Sequence, residues 1–472
     1  LRRFGHLLSA QGVDALLHTG FFLYLAWLDA SAYGEVMYGM AAGAMVSQIV
    51  QYGLYYPLVS HLGENQGDSF EVFNRVNLIK LTLLVPAMAG AWVVTLYRGF
   101  SAQMVWVVLV ISLGYALEAL AETFFADCRV QGRQDREARA KMAGSLLGYG
   151  FGFAAAALGL GPVPVALFKV WSGLARLTIG SRGRLLAFAA SVFSRVDWGA
   201  TKSLFKAATV FALIDILGTL YNKTNIFFLE STAGIKGVAY YSATWNLVDP
   251  VSTLASQQFL GWVVFPLLAV LWWKDRDRAH RLVRANALWL MAVAFPIILI
   301  LYVESDFLIG MIYPLEYRDA AWMQRYLVWT IILSFENNLF AYLMMVAGQG
   351  RLLLIFAIVA TFLNLVFNIT LVGPLGLAGG CLVIVLTKLA MTVLTFGYCQ
   401  IHFSLFKARD LGFPLAAILG SLGLFIVLKP FIHTHAALLV VLTVHGLLIW
   451  KAGRRYLGDP TGGRSSDYPG NT

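Results

Sequence analysis

Charge is scarce in this chain. Only 13% of its 472 residues are Asp, Glu, Lys or Arg, against roughly 25% in a soluble domain, which excludes an ordinary water-facing surface. Cysteine is scarcer still. Cys128, Cys381 and Cys399 are spaced neither as metal ligands nor as a disulfide framework, so reduced, unpaired thiols are expected and no metal site is. No polar gap between the apolar runs could hold a folded soluble domain. The outer loops are short, the largest being 304–320, and neither a nucleotide-phosphate loop nor an acidic metal-binding motif occurs. Both absences argue against a membrane polysaccharide polymerase, ligase or glycosyltransferase.

What the chain has instead is apolar length. It is 59% hydrophobic with a mean hydropathy of +0.71. Apolar runs near the roughly 20 residues needed to cross a bilayer recur about fourteen times. They cover 8–28, 35–60, 76–97, 103–126, 141–159, 162–180, 204–229, 237–271, 285–303, 321–347, 352–372, 375–401, 411–428 and 435–451. Backbone polar groups in lipid must be satisfied within the chain, so these runs are helices and the class is an all-α polytopic membrane protein.

Orientation follows the basic residues, which gather in alternate loops: Arg2 and Arg3, Arg75 and Lys80, Arg129 to Lys141, Arg182 to Lys206, Lys274 to Arg284, Arg351, Lys407 and Arg409, and the tail from Lys451. With those loops inside, both termini are cytoplasmic. The net charge of +10 is then a topology signal with attraction to anionic lipid, and gives no support to nucleic-acid binding. Arg2, Arg3 and Ala30-Ser31-Ala32 imitate a secretory signal, yet the first helix is expected to be retained because it is half of a repeat.

That repeat aligns VDALLHTGFFLYLAWLDASA (13–32) with IDILGTLYNKTNIFFLESTA (214–233) without gaps, matching Asp14 to Asp215 and Asp29 to Glu230. After each copy come a Gly and a Tyr, Gly34 and Tyr38, then Gly237 and Tyr241. Six spans separate the copies, so the halves are parallel repeats. The expected architecture is two six-helix lobes, 1–180 and 204–401, around a central cavity, with two further helices over 402–451 and a disordered cytoplasmic tail over 452–472. Residues 181–203 mix apolar and basic side chains, as does a helix resting on the inner leaflet or an ordinary basic loop. Gly144, Gly148 and Gly152 form a ridge for close helix packing.

Charges inside the spans carry the functional reading. Each costs roughly 2.5 to 3.5 kcal/mol at mid-bilayer and therefore faces a partner or a wet cavity. Glu118 and Glu122 on one helix lie at the depths of Lys169 and Arg176 on another, which reads either as two structural ion pairs or as a cavity wall with a proton relay. On the seventh span Asp215, Thr219 and Asn222 share one face, flanked by Lys223. The equivalent helices add Asp14 and His18, Gln48 and Gln51, and Tyr241, Trp245 and Asp249 before an expected kink at Pro250. Lys223, Lys388, Arg176, Asn222, Gln48, Gln51, Tyr241 and Trp245 are the candidate substrate-binding residues. Asp14, Asp215, Asp249 and Glu336 are the candidates for coupling to H+ or Na+; no other cofactor is expected.

The stretch 220–250 with the following Phe265-Pro266, the segment IGMIYPLEYRDA (309–320) and NLVFNITLVGPLGLAGG (364–380) together resemble the Wzx-type polysaccharide flippases of the multidrug/oligosaccharidyl-lipid/polysaccharide (MOP) exporter superfamily. The resemblance implies two lobes around a cationic cavity that exports a polyprenyl-diphosphate-linked saccharide across a bacterial inner membrane by alternating access. Anionic lipids and polysaccharide polymerases or other biosynthesis proteins are the implied partners. No family residue is specific enough to carry over as a ligand, so the candidate site rests on intramembrane polarity. The competing reading is a cation-coupled multidrug antiporter of the same superfamily, whose cationic substrates call for a carboxylate-dominated cavity.

Overall fold

The computed structural model describes residues 2–64, 69–131, 133–181, 197–253, 259–261 and 263–457. No strand occurs among them. The helices are α1 (Arg2–Leu28), α2 (Ala30–Gln51), α3 (Tyr55–Glu64), α4 (Ser69–Tyr97), α5 (Ala102–Val130), α6 (Gln134–Ala157), α7 (Pro162–Ser181), α8 (Trp198–Thr253), α9 (Phe265–Lys274) and α10 (Arg276–Val303). They continue with α11 (Ser305–Ile312), α12 (Ala321–Leu327), α13 (Trp329–Val346), α14 (Gly350–Phe367), α15 (Gly373–Phe403), α16 (Ala408–Leu428) and α17 (Thr434–Leu457). Of the expected linker 181–203, residues 182–196 lie outside the described residues, as does 458–472 of the tail.

Among the described residues seven helical stretches are long and apolar enough to cross a membrane, and four shorter apolar helices accompany them. Two of the seven, Trp198–Thr253 and Gly350–Phe403, run for 56 and 54 residues, more than twice the roughly 20 that one crossing takes. Both contain a glycine at positive φ, Gly234 (67°) and Gly376 (54°), where the backbone leaves helical geometry. Trp92, Val93, Val94 and Leu96 on α4 are exposed, as suits a face turned to lipid. The chain is a multi-pass membrane protein.

Two local expectations are revised. The apolar run 35–60 is not one helix, because α2 stops at Gln51 and α3 starts at Tyr55, with Tyr52 (φ 45°) and Gly53 (φ 59°) both left-handed. A β-carbon at Gly53 would lie 2.5 Å from the Ala212 amide nitrogen, so only glycine lets this turn touch α8. On α8 the break falls at Gly234, while helix continues through Pro250 to Thr253. Glycine's freedom at positive φ, and not proline's missing donor, sets that bend.

The chain divides into two compact units. One comprises Leu1–Leu247, Asp306–Leu327 and Gly350–Met391. In it α5 packs against α7 and α2, while α6 packs against α1 and α7. The glycine ridge does what its spacing predicts: a β-carbon at Gly148 would sit 2.6 Å from the Phe168 carbonyl oxygen, and one at Gly144 2.5 Å from Arg176 Cγ. Gly114 and Gly173 make the same close approach between α5 and α7. Phe21, Phe22, Tyr149 and Phe168 fill the core beside them, so the backbones of α5, α6 and α7 come close enough to bring their polar side chains together. Gly34 on α2 also packs against the backbone of Ile235 on α8.

The other unit comprises Val248–Ser305, Val328–Gln349 and Thr392–Thr472. There α10 packs on α13 and α16 on α17. Arg284 pairs with Asp410 at 3.2 Å, and buried His445 bridges Ser421 Oγ (2.9 Å) and the Ala292 carbonyl (3.1 Å).

Candidate functional site, a network of charges within the spans

Helical spacing assembles the network. Asp14 and His18 stand one turn apart on α1, Ser145 and Tyr149 one turn apart on α6, and Lys169, Ser172 and Arg176 along one face of α7. The close glycine contacts then bring these faces onto Glu118 of α5. Lys169 Nζ lies 2.8 Å from Glu118 Oε2, Arg176 Nη1 3.3 Å from Oε1, and Ser172 donates to the same carboxylate at 3.1 Å. Arg176 Nη2 reaches Asp14 Oδ1 at 3.0 Å and Ser145 Oγ at 3.1 Å, while Ser145 also donates to Asp14. Lys169 Nζ stands 4.0 Å above the Tyr115 ring, and His18 Nδ1 lies 2.9 Å from Tyr149 OH. Two carboxylates face two cations, so the cluster as a whole is neutral when all four are ionised.

The pairing differs from the depth estimate in one respect. Glu118 does meet Lys169, but Glu122 does not meet Arg176. Glu122 joins a second group, with Arg129 Nη2 at 2.9 Å and Lys141 Nζ at 3.4 Å, and both cations also hold buried Glu137. The physical reason is reach. A guanidinium can serve two acceptors, and Asp14 on α1 lies nearer to Arg176 than the residue one turn further along α5.

The other candidate residues fall in several places. Lys223 is half-buried on α8 and makes no ion pair with a described residue. Asn222 donates to the Gly218 carbonyl of its own helix at 2.8 Å. Tyr241 and Trp245 stack with ring centroids 6.1 Å apart, and Lys388 Nζ lies 5.0 Å from the Trp245 ring, so these three come together. Gln48, Gln51 and Asp215 line a separate cleft, where Gln51 donates to Ser47 Oγ at 3.0 Å. Asp249 and Glu336 belong to the other unit; Glu336 is buried, and neither carboxylate oxygen has a hydrogen-bond partner among the described residues.

A buried amide network went unread in the sequence. Asn225 of α8 donates to the Gly380 carbonyl (3.0 Å) and accepts from Asn368 (3.1 Å), while Asn364 donates to Thr387 Oγ1 (3.0 Å). All four side chains are buried. Its signal is Asn364 and Asn368 one turn apart in an apolar run, next to a π-helical turn over Asn368–Val372. Lys80 was also misplaced, counted with the loop cations although it is buried within α4.

Comparison with known proteins fits this architecture. The family model described as "Polysaccharide biosynthesis protein" matches residues 27–321, more than half of the chain. None of the curated proteins matches it by sequence. Among solved structures, the lipid II flippase MurJ in an inward closed conformation is 10% identical with a TM-score of 0.68, covering 96% of this chain and 99% of its own. An inward-facing multidrug resistance MATE transporter of the MOP superfamily is 14% identical with a TM-score of 0.63, covering 83% and 94%. A MOP superfamily transporter from Pyrococcus furiosus, whose title points to a binding pocket of reverse polarity, is 16% identical with a TM-score of 0.56, covering 84% and 94%. The chain therefore belongs to the polysaccharide biosynthesis protein family and carries the all-helical fold of the MOP superfamily.

Proposed function

We propose that this protein is a carrier, not an enzyme, that moves a polyprenyl-diphosphate-linked saccharide across a bacterial inner membrane by alternating access. The observation that carries the reading is Lys223, a cation on a membrane-embedded helix with no ion-pair partner among the described residues. Such a charge costs roughly 2.5 to 3.5 kcal/mol within the bilayer, and an anionic headgroup would offset that cost. Lys388 beside Trp245 and Tyr241 supplies a second cation against aromatic rings, the chemistry that suits a saccharide phosphate. Arg176 is engaged by Glu118 and Asp14, so it reaches substrate only if those contacts exchange. The lobes 1–180 and 204–401, joined by 181–203 and followed by 402–451 and the cytoplasmic tail, would rock around the substrate, with both termini inside. Asp14, Asp215, Asp249 or Glu336 would take the coupling proton or sodium ion.

Leaflet transfer of a fluorescent polyprenyl-diphosphate saccharide in liposomes, with and without a pH or sodium gradient, tests this. Lys223→Ala should abolish transfer in protein that remains folded and inserted; unchanged transfer would remove Lys223 from the site. One observation favours a second reading, a multidrug antiporter. Glu336 is a buried carboxylate without a hydrogen-bond partner among the described residues, as a cation carrier needs. Efflux of a cationic dye that depends on Glu336 would decide for it.

A further inference from the structure

A cleft of about 250 Å³ opens in the first unit, apart from the network around Glu118, and is lined by residues of α2, α3, α4, α5 and α8. It exists because α2 breaks at Tyr52 and Gly53, two successive left-handed residues, and α3 starts in a new direction. Tyrosine in this backbone region is strained, a condition that tends to persist where function requires it. The cleft lies at the end of the bundle where α2 and α5 finish and α4 begins. That end carries Arg75, Arg129, Arg133, Arg136 and Arg139. Tyr55 and Tyr56 are its exposed aromatic members, 39% and 46% accessible, a residue type that favours the headgroup level of a membrane.

Its buried cation is Lys80, 4% exposed. The ammonium donates to two neutral oxygens, the Ala119 carbonyl at 2.5 Å and Thr123 Oγ1 at 2.8 Å. Thr123 in turn donates to buried Asn77 Oδ1 at 2.9 Å, so its lone pairs are fixed toward the lysine. An ammonium has three donors; one remains after these bonds, and no carboxylate of the described residues lies within ion-pair distance. The nearest candidate, Glu122, is held by Arg129 and Lys141. Lys80 is thus a dehydrated positive charge, oriented by a hydrogen-bonded chain and lacking an anion. The second cation of the lining, Arg129, lies 5.3 Å from the Tyr55 ring and is already shared by Glu122 and Glu137. Across the cleft Asp215 has neither hydrogen bond nor ion pair among the described residues, so an entering anion meets one opposing carboxylate. The volume falls below the roughly 300 to 1,000 Å³ of pockets that enclose a drug-sized ligand, which suits a headgroup phosphate.

We infer that this cleft is a binding site for the phosphate of a membrane lipid, with Lys80 as the cation that receives it and Tyr55 and Tyr56 at the headgroup level. The shared chemistry is a lipid phosphate, from either an anionic phospholipid or an isoprenoid diphosphate. The site does not use Lys223; Asp215 of its lining is the residue it shares with the transport proposal.

The test is binding, measured without transport. Purified full-length protein in neutral detergent is titrated with farnesyl diphosphate, phosphatidylglycerol or inorganic phosphate, and unfolding temperature and tryptophan fluorescence are followed. At least one of the two lipids should bind saturably and raise the unfolding temperature. Lys80→Met should weaken that binding about tenfold or more, the loss of one charged hydrogen bond, and Lys80→Arg should restore part of it. Asp215→Asn should tighten it by removing the opposing charge. Preference for farnesyl diphosphate identifies an isoprenoid carrier, and preference for phosphatidylglycerol identifies bulk lipid. Equal binding of inorganic phosphate would overturn the lipid assignment, and wild-type affinity in folded Lys80→Met would overturn the site. Should Lys80→Met not fold, unchanged or weaker binding in Asp215→Asn overturns it instead. Loss of leaflet transfer in Lys223→Ala with lipid binding intact would leave this site standing on its own.

Discussion

Glu118 on α5 accepts two cations at once, Lys169 at 2.8 Å and Arg176 at 3.3 Å. Because all three side chains are largely buried, removing the carboxylate strands Lys169, while Arg176 keeps Asp14 at 3.0 Å. Glu118→Gln is expected to destabilise the detergent-solubilised protein by about 3 to 5 kcal/mol, read as a lower unfolding temperature. The double variant Glu118→Gln, Lys169→Met should cost less than the two single changes added together, because each single change leaves a charge behind. Strict additivity would mean that the pair does not interact.

The α6–α7 seam depends on the absence of side chains. With a β-carbon 2.6 Å from the Phe168 carbonyl oxygen, Gly148→Ala should overpack it by about 1 to 3 kcal/mol. Gly150→Ala, on the same helix with nothing within 4 Å of the added atom, is the control and should be neutral or slightly stabilising. Size-exclusion profiles after heating distinguish the two.

The turn between α2 and α3 separates two substitutions. Tyr52→Gly relieves the left-handed strain but gives up the ring stack on Phe205, centroids 4.3 Å apart, so the two effects oppose, whereas Gly53→Ala meets both an unfavourable φ and the Ala212 amide at 2.5 Å. The measurement is the order of unfolding temperatures, with Gly53→Ala below both Tyr52→Gly and wild type.

Asn225 links α8 to the Asn364, Asn368 and Thr387 cluster. Asn225→Ala leaves the Asn368 amide without one acceptor and is expected to cost about 1 to 3 kcal/mol. Asn222→Ala, whose side chain donates to the Gly218 carbonyl of its own helix and reaches no other helix by a hydrogen bond among the described residues, should be close to neutral.

All three cysteines are buried and in no disulfide, with accessibilities of 3%, 0% and 0% for Cys128, Cys381 and Cys399. A maleimide should label none of them in folded protein and all three after denaturation; rapid labelling of Cys381 would place water next to α15.

Much of this was legible in the order of residues. Apolar runs long enough to span a bilayer placed the helices, because lipid forces each such run to bond its own backbone. The Gly144, Gly148, Gly152 spacing foretold a close seam, and the i, i+4 position of Asp14 and His18 put them on one face. Lys80 was misread because position along a helix says nothing about what lies beside it. The Asn225 network escaped because Asn225, the Asn364 and Asn368 pair, and Thr387 come from segments far apart in sequence, and nothing local says that they meet.

By itself, then, the sequence determined the solvent, the helical class, the approximate spans and which residues are polar where polarity is costly. These depend on composition and period, which act locally. Only the tertiary structure decided that Arg176 goes to Glu118 and Asp14 while Glu122 goes to Arg129 and Lys141, and that Lys80 ends without an anion among the described residues. A charge's partner is set by distances of about 3 Å between different helices, and those distances follow from how closely the backbones pack.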